Sequence, residues 1–235
     1  MNPSLILFDL DGTLVDTAPE IADALNALLA AEGMPTVELD LARSWIGHGT
    51  RELLVKALQH LALRGVREAG GPGAADKLMP AFGMHYLAHC GRASRVYPQV
   101  EAALDALREH GKHLVVISNK EERFAFTVIE RHGLRDYFQL VIGGDTLPTK
   151  KPDPSGVQHC MKLFNVRPEQ CLFVGDSEID VATARAAGVP MWAVSYGYNH
   201  ARPIELAQPD RVIQSFGALF ELTAFDSPRE RVSTY

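Results

Sequence analysis

A chain of 235 residues, 46% apolar and 22% charged, can build a buried core and is too apolar to stay disordered. The formal net charge of −6 argues against a coat for nucleic acid, which needs a basic footprint. No apolar run approaches the roughly 20 residues that span a bilayer, so no membrane partner is expected.

The first predicted strand covers residues 4–8. Its apolar run stops at Asp9 and has no basic flank, so it is not a signal peptide. Residues 17–92 show no strand pattern. They carry predicted helices at 21–31, 51–64 and 74–90, with a turn at Gly70-Gly71-Pro72-Gly73. Beyond them, strands at 113–117, 139–142, 171–174 and 191–194, and a weaker one at 211–213, alternate with helices at 100–110, 124–132, 155–164 and 180–187. In 100–110, Val100, Ala103, Leu104 and Leu107 share one stripe and Gly111 supplies a stop. Such alternation predicts an α/β fold, a parallel sheet with helices on both faces. Residues 1–16 and 93–235 form this core, and 17–92 form an inserted helical unit. The polar tail from Asp226 is expected to fray.

Cys90, Cys160 and Cys171 are odd in number and form no CxxC pair. They predict free thiols and a cytoplasmic setting. His85 and His89 stand four apart but lack a third ligand, so zinc is not expected there.

Chemistry concentrates where strands stop, the place where such sheets bind ligands. Asp9-Leu10-Asp11-Gly12-Thr13 follows the first strand. Residues two apart on an extended chain point the same way, so Asp9 and Asp11 project together. Two close carboxylates imply a cation or a shared proton between them, and oxygen ligands favour Mg²⁺. Ser118-Asn119 ends another strand, and Gly175-Asp176-Ser177-Glu178-Ile179-Asp180 a third. Lys150-Lys151-Pro152-Asp153-Pro154 adds cations held by prolines. Cations, directed donors and a nucleophile in one place suit phosphoryl transfer.

These four ordered motifs resemble those of the haloacid dehalogenase-like phosphohydrolases. Asp9 to Thr13 matches the first motif, Ser118 the second, Lys151 the third, and Asp176 with Asp180 the fourth. The resemblance implies a Rossmann-like core with a helical cap inserted after the first motif. It implies that Asp9 attacks phosphorus and that Asp11 acts as general acid, then general base. Mg²⁺ would be held by Asp9, the backbone carbonyl of Asp11, and Asp176. Thr13, Ser118 and Asn119 would bind the phosphoryl group, Lys151 would offset its charge, and Asp180 would support the metal or orient Lys151.

The second aspartate, Asp11, disfavours carbon–halogen and carbon–phosphorus cleavage within that superfamily. Residues 19–26 lack the histidine of the β-phosphoglucomutase-like branch. Residues 45–54, Trp-Ile-Gly-His-Gly-Thr-Arg-Glu-Leu-Leu, resemble a stretch of the bacterial 2-phosphoglycolate phosphatases. This loop would read the non-phosphate end of a small phosphate ester. Gly47, His48 and Gly49 lie in its turn, and Arg51 offers a contact for a carboxylate. The expected enzyme is thus a Mg²⁺-dependent phosphatase acting on 2-phosphoglycolate, as monomer or homodimer. A phosphatase for another small ester, a sugar phosphomutase and an inactive binding module are the alternatives.

Overall fold

The computed structural model describes residues 2–71 and 73–223; the expected fraying of the tail from Asp226 falls outside them. The central strand is β1 (Leu5–Phe8), buried throughout. A two-residue strand, β2 (Val15–Asp16), follows it, and then four helices: α1 (Ala18–Ala31), α2 (Leu39–Arg43), α3 (Thr50–Leu63) and α4 (Ala74–His89). β3 (Arg95–Val96) brings the chain back and pairs antiparallel with β2, Val15 opposite Val96. The two crossings into and out of the helical insertion are thereby stitched together.

The remainder alternates strand and helix: α5 (Val100–Glu109), β4 (His113–Ile117), α6 (Glu122–Arg131), β5 (Leu140–Ile142), α7 (Ser155–Leu163), β6 (Cys171–Gly175), α8 (Glu178–Ala187), β7 (Met191–Val194) and β8 (Arg211–Ile213). The six strands other than β2 and β3 form one parallel sheet in the order β5-β4-β1-β6-β7-β8. Side chains of a strand alternate between faces, and both faces here are dry. Ile6, Phe8, Leu114, Val116, Leu172 and Val174 pack on one face, in a core continuous with that of the insertion. Leu5, Leu7, Val115, Ile117, Cys171 and Phe173 pack on the other.

The chain steps outward from β1 through β4 to β5, then returns to the opposite side of β1 to lay down β6, β7 and β8. Connections leave in opposite directions at β1, and this opens a crevice beyond its carboxyl end. Asp9 follows β1, Ser118 follows β4, Asp176 follows β6, and Gly197 lies beyond β7. The insertion roofs this crevice. All three cysteines are free and buried, and among the described residues no helix is long and apolar enough to cross a membrane.

Candidate active site

Asp9, Asp176 and Asp180 converge so that one carboxylate oxygen of each lies within 4.8 Å of the others. Lys151 Nζ reaches Asp9 Oδ1 and Asp180 Oδ1, both at 2.7 Å. Asp9 Oδ1 also accepts the Leu10 N–H at 2.7 Å. Its other oxygen, Oδ2, takes no hydrogen bond among the described residues. One oxygen of Asp9 is pinned and the other is left for chemistry.

Asp180 has no such freedom. Its Oδ2 accepts from Ser177 Oγ at 2.7 Å and from the N–H groups of Asp176 and Ser177, while Oδ1 holds Lys151. The box in which Ser177 Oγ accepts the Asp180 N–H starts α8 and locks this carboxylate in place. Asp180 is therefore the group that positions Lys151. Asp176 accepts from Thr13 Oγ1 at 3.0 Å and from the Tyr198 N–H at 2.7 Å. The turn Tyr196-Gly197-Tyr198 leans on it so closely that a Cβ at Gly197 would fall on its side chain.

Asp11 sits at the other side of the crevice. Its Oδ1 accepts from Thr17 Oγ1 at 2.6 Å and pairs with Lys120 Nζ at 2.9 Å. Lys120 is 5% exposed. It also donates to Tyr86 Oη at 2.6 Å, and Tyr86 in turn donates to Glu20 Oε1 at 3.2 Å. Burial, followed by the repulsion of Asp11 and Glu20, pushes the Tyr86 hydroxyl well above its usual range, so it stays protonated.

Four carboxylates (Asp9, Asp11, Asp176 and Asp180) thus face two ammonium groups, Lys120 and Lys151, leaving two negative charges unmatched when all are ionised. The imbalance shows in the acids. Burial, joined by repulsion from Asp180 and Asp11 and opposed by Lys151, pushes Asp9 up to about 7. Asp176 is driven well above the carboxylate range by burial, then by Asp180 and Asp9. A divalent cation between Asp9 and Asp176 would cancel both the excess charge and the repulsion, and an all-oxygen donor set suits a hard ion such as Mg²⁺. The residues present fit the metal.

A small, partly open pocket of about 40 Å³ adjoins these acids, room for roughly three waters. Asp9, Asp11, Ser118, Asn119 and Lys120 line it from the core, and Ile21, Ile46, Gly47, Gly49, Thr50, Leu53, Phe82 and Tyr86 from the insertion. Gly49 caps α3 with φ of 89°, and a Cβ there would sit 2.9 Å from the Asn119 carbonyl, so the loop meets the core backbone directly. Three struts hold it down. Asn119 Nδ2 donates to Gly47 O at 3.0 Å, Lys150 Nζ donates to His48 O at 2.7 Å, and Thr50 Oγ1 donates to Glu121 Oε2.

Several predicted site residues have other duties. Arg51 does not face the cavity. It forms a two-pronged pair with Asp76 on the outer surface of the insertion, Nε to Oδ1 at 2.6 Å and an Nη to Oδ2 at 2.9 Å. At the second residue of α3, its side chain points toward the start of α4 instead. The His48 ring stacks on His200 at 5.1 Å across the seam, leaving only its backbone at the loop. Thr13 is fully buried and its hydroxyl is spent on Asp176. Asn119 spends its amide on the carbonyls of Gly47 and Lys151, and its Oδ1, an acceptor, cannot bind a phosphate oxygen. Ser118 lines the cavity, and among the described residues its hydroxyl proton is uncommitted; its Oγ accepts the Lys120 N–H, at 3.2 Å. Sequence reasoning missed Tyr86, Glu20, Gly197 and Tyr198, and gave Lys120 no role. Lys120 carried a signal, since it follows Ser118-Asn119 at a strand end. Tyr86 and Glu20 are brought in by helix packing, which leaves no motif.

Residues 3–188 match the family described as haloacid dehalogenase-like hydrolase. A phosphoglycolate phosphatase of Pseudomonas syringae pv. tomato is 43% identical over 218 residues, 92% of this chain and 78% of that protein. One of Thiobacillus denitrificans is 37% identical over 211 residues, 89% of this chain and 91% of that protein. The crystal structure of a protein from Haemophilus somnus, described as a predicted phosphoglycolate phosphatase, superposes with a TM-score of 0.90 at 32% identity, covering 95% of this chain and 99% of that one.

Proposed function

The chain belongs to the haloacid dehalogenase-like hydrolases, and on that premise we propose that it is a Mg²⁺-dependent phosphatase that converts 2-phosphoglycolate to glycolate through an aspartyl-phosphate. The observation that carries this reading is the unequal state of Asp9: Oδ1 is fixed by Lys151 and Leu10, and Oδ2 is uncommitted. Oδ2 attacks phosphorus as the ester P–O bond breaks, and Asp11 gives its proton to the departing glycolate oxygen. Asp11, now a carboxylate, takes a proton from water as the water oxygen displaces Asp9 from phosphorus. Orthophosphate leaves, and both acids return to their starting forms.

Ser118 Oγ donates to a phosphoryl oxygen, and Lys151 offsets the charge that gathers there. Asp9, Asp176 and the backbone carbonyl of Asp11 would hold Mg²⁺, which when bound would supply the positive charge that lets a phosphate dianion approach carboxylates. The small cavity supports a short ester, and the relatives named phosphoglycolate phosphatase support 2-phosphoglycolate in particular. Because the insertion roofs the space, substrate enters when it lifts, and closure then excludes water.

The test is hydrolysis of a panel of phosphate esters with and without Mg²⁺, by wild type and Asp9→Asn. Turnover is expected to require the metal, to have its highest kcat/KM with 2-phosphoglycolate, and to fall by more than ~10³-fold in the variant. Undiminished turnover in Asp9→Asn would end the covalent route. A higher kcat/KM with a sugar phosphate, nucleotide or pyrophosphate would move the substrate elsewhere.

A further inference from the structure

We propose that Lys120 is the specificity-determining residue that reads a carboxylate at the non-phosphate end of the substrate; this rests on the reading of the protein as a phosphatase for a small acidic ester. Ser118 Oγ goes to the phosphoryl group in that reading, and the other side-chain donors around the cavity lead to Lys120 by elimination. Tyr86 has one hydroxyl proton, and it goes to Glu20, so Tyr86 offers the cavity no donor. The proton of Thr50 goes to Glu121. The amide of Asn119 goes to two backbone carbonyls. Arg51 is on the outer surface with Asp76.

An ammonium has three N–H donors. Lys120 uses one on Asp11 and one on Tyr86 Oη, and the third has no partner among the described residues. Lys120 is also the one cationic side chain among the described residues that line the cavity. Its direction is fixed on every side: Asp11 on the core loop, the Tyr86 hydroxyl and ring on α4, with the ring centroid 4.7 Å away, and Glu20 on α1 behind the hydroxyl.

Across the same space lies the first turn of α3, whose N-cap Gly49 brings no side chain to its free N–H groups. Both ends of the cavity therefore offer donors with positive character. The walls between them, Ile21, Ile46, Leu53 and Phe82, are apolar, and low local polarity strengthens an ionic hydrogen bond. A short anion fits these requirements, and a neutral alcohol leaves the charge unanswered.

The experiment compares 2-phosphoglycolate with 2-hydroxyethyl phosphate, a neutral-ended ester of similar size, in wild type, Lys120→Met and Lys120→Gln. Lys120→Gln keeps much of the length and a donor toward Tyr86, so it guards against failure of Lys120→Met to fold; melting curves establish that each variant is folded. Loss of the Asp11 contact slows both substrates alike. Loss of a charge-assisted hydrogen bond to substrate lowers the kcat/KM ratio between them, by about 10- to 100-fold. Equal losses on both substrates would overturn the inference and leave Lys120 as a positioning residue for Asp11. If wild type hydrolyses the neutral ester but not 2-phosphoglycolate, the substrate reading fails, and Lys120 is judged by inhibition. A Ki of 2-phosphoglycolate against the neutral ester that rises tenfold or more in Lys120→Met sustains the inference, and an unchanged Ki overturns it.

Discussion

Lys120 and Arg51 show how differently two cations can stand near one cavity. Lys120 lost most of its hydration on folding and is held by Asp11, Tyr86 and its ring. Such a buried charge persists only with partners that fix it. Arg51 remains in water beside Asp76, and both side chains are more than half exposed. Exposed pairs of this kind contribute little. Removing Arg51 should therefore leave catalysis alone: Arg51→Ala is expected to keep kcat and KM within twofold of wild type on acidic and neutral esters. A KM for 2-phosphoglycolate raised tenfold, with the neutral ester unaffected, would put the arginine back in the site. Charge and loop position alone favour Arg51 in the sequence. Helical phase decides against it, and phase becomes visible only once α3 is seated on α4.

The elements were more legible than their side-chain partners. All six strands of the main sheet, and every helix of eight residues or more among those described, are visible as apolar runs or stripes of the right period. β2 and β3, two residues each, and α2, of five, are too short for periodicity to register. Yet β2 and β3 close the neck of the insertion. The clusters after β1, β4 and β6 were legible because a parallel sheet gathers the carboxyl ends of its strands at one edge, whereas Lys151 is brought in by the loop between β5 and α7. Asn119 and Thr13 stand in those clusters as phosphate-binding candidates; local sequence does not reveal that nearby carbonyls and Asp176 claim their side-chain donors. Gly197, beyond β7, marks the same limit. Its missing side chain makes room for Asp176, a contact between segments 21 residues apart in the chain. Gly197→Ala must push Asp176 aside. It is expected to raise the Mg²⁺ concentration for half-maximal activity at least about tenfold, as changes in groups supporting a metal ligand commonly do. An unchanged Mg²⁺ titration would mean that Asp176 is not a ligand or that the turn yields.

At the scale of the whole molecule, the site's excess negative charge is a cost of folding that varies with pH. Asp9 is pushed up to about 7 in the folded protein and Asp176 well above the carboxylate range, from an unfolded value of 3.8. Between about pH 4 and 7 the metal-free native state holds protons that the unfolded chain has released. Stability falls with rising pH wherever the native state binds more protons, so these two acids stabilise the metal-free fold below that window and cease to do so above it. A divalent cation such as Mg²⁺ held by these acids would compete with those protons, and its binding would release them. Its stabilising effect must therefore be larger at pH 8 than at pH 5. His48 and His132, held below their usual range mainly by burial, titrate with the opposite effect on stability. Comparing melting with and without Mg²⁺ at each pH removes much of their contribution. At a hundredfold excess over Kd the linkage contributes about 2.7 kcal/mol, or roughly 5–10 °C in Tm for a chain of this size. That rise is expected at pH 8 and should shrink to about a third or less at pH 5. An equal rise at both values, or a metal-free Tm that climbs from pH 5 to 8 while the Mg²⁺ increment stays flat, would mean that the buried carboxylates do not take up the cation together.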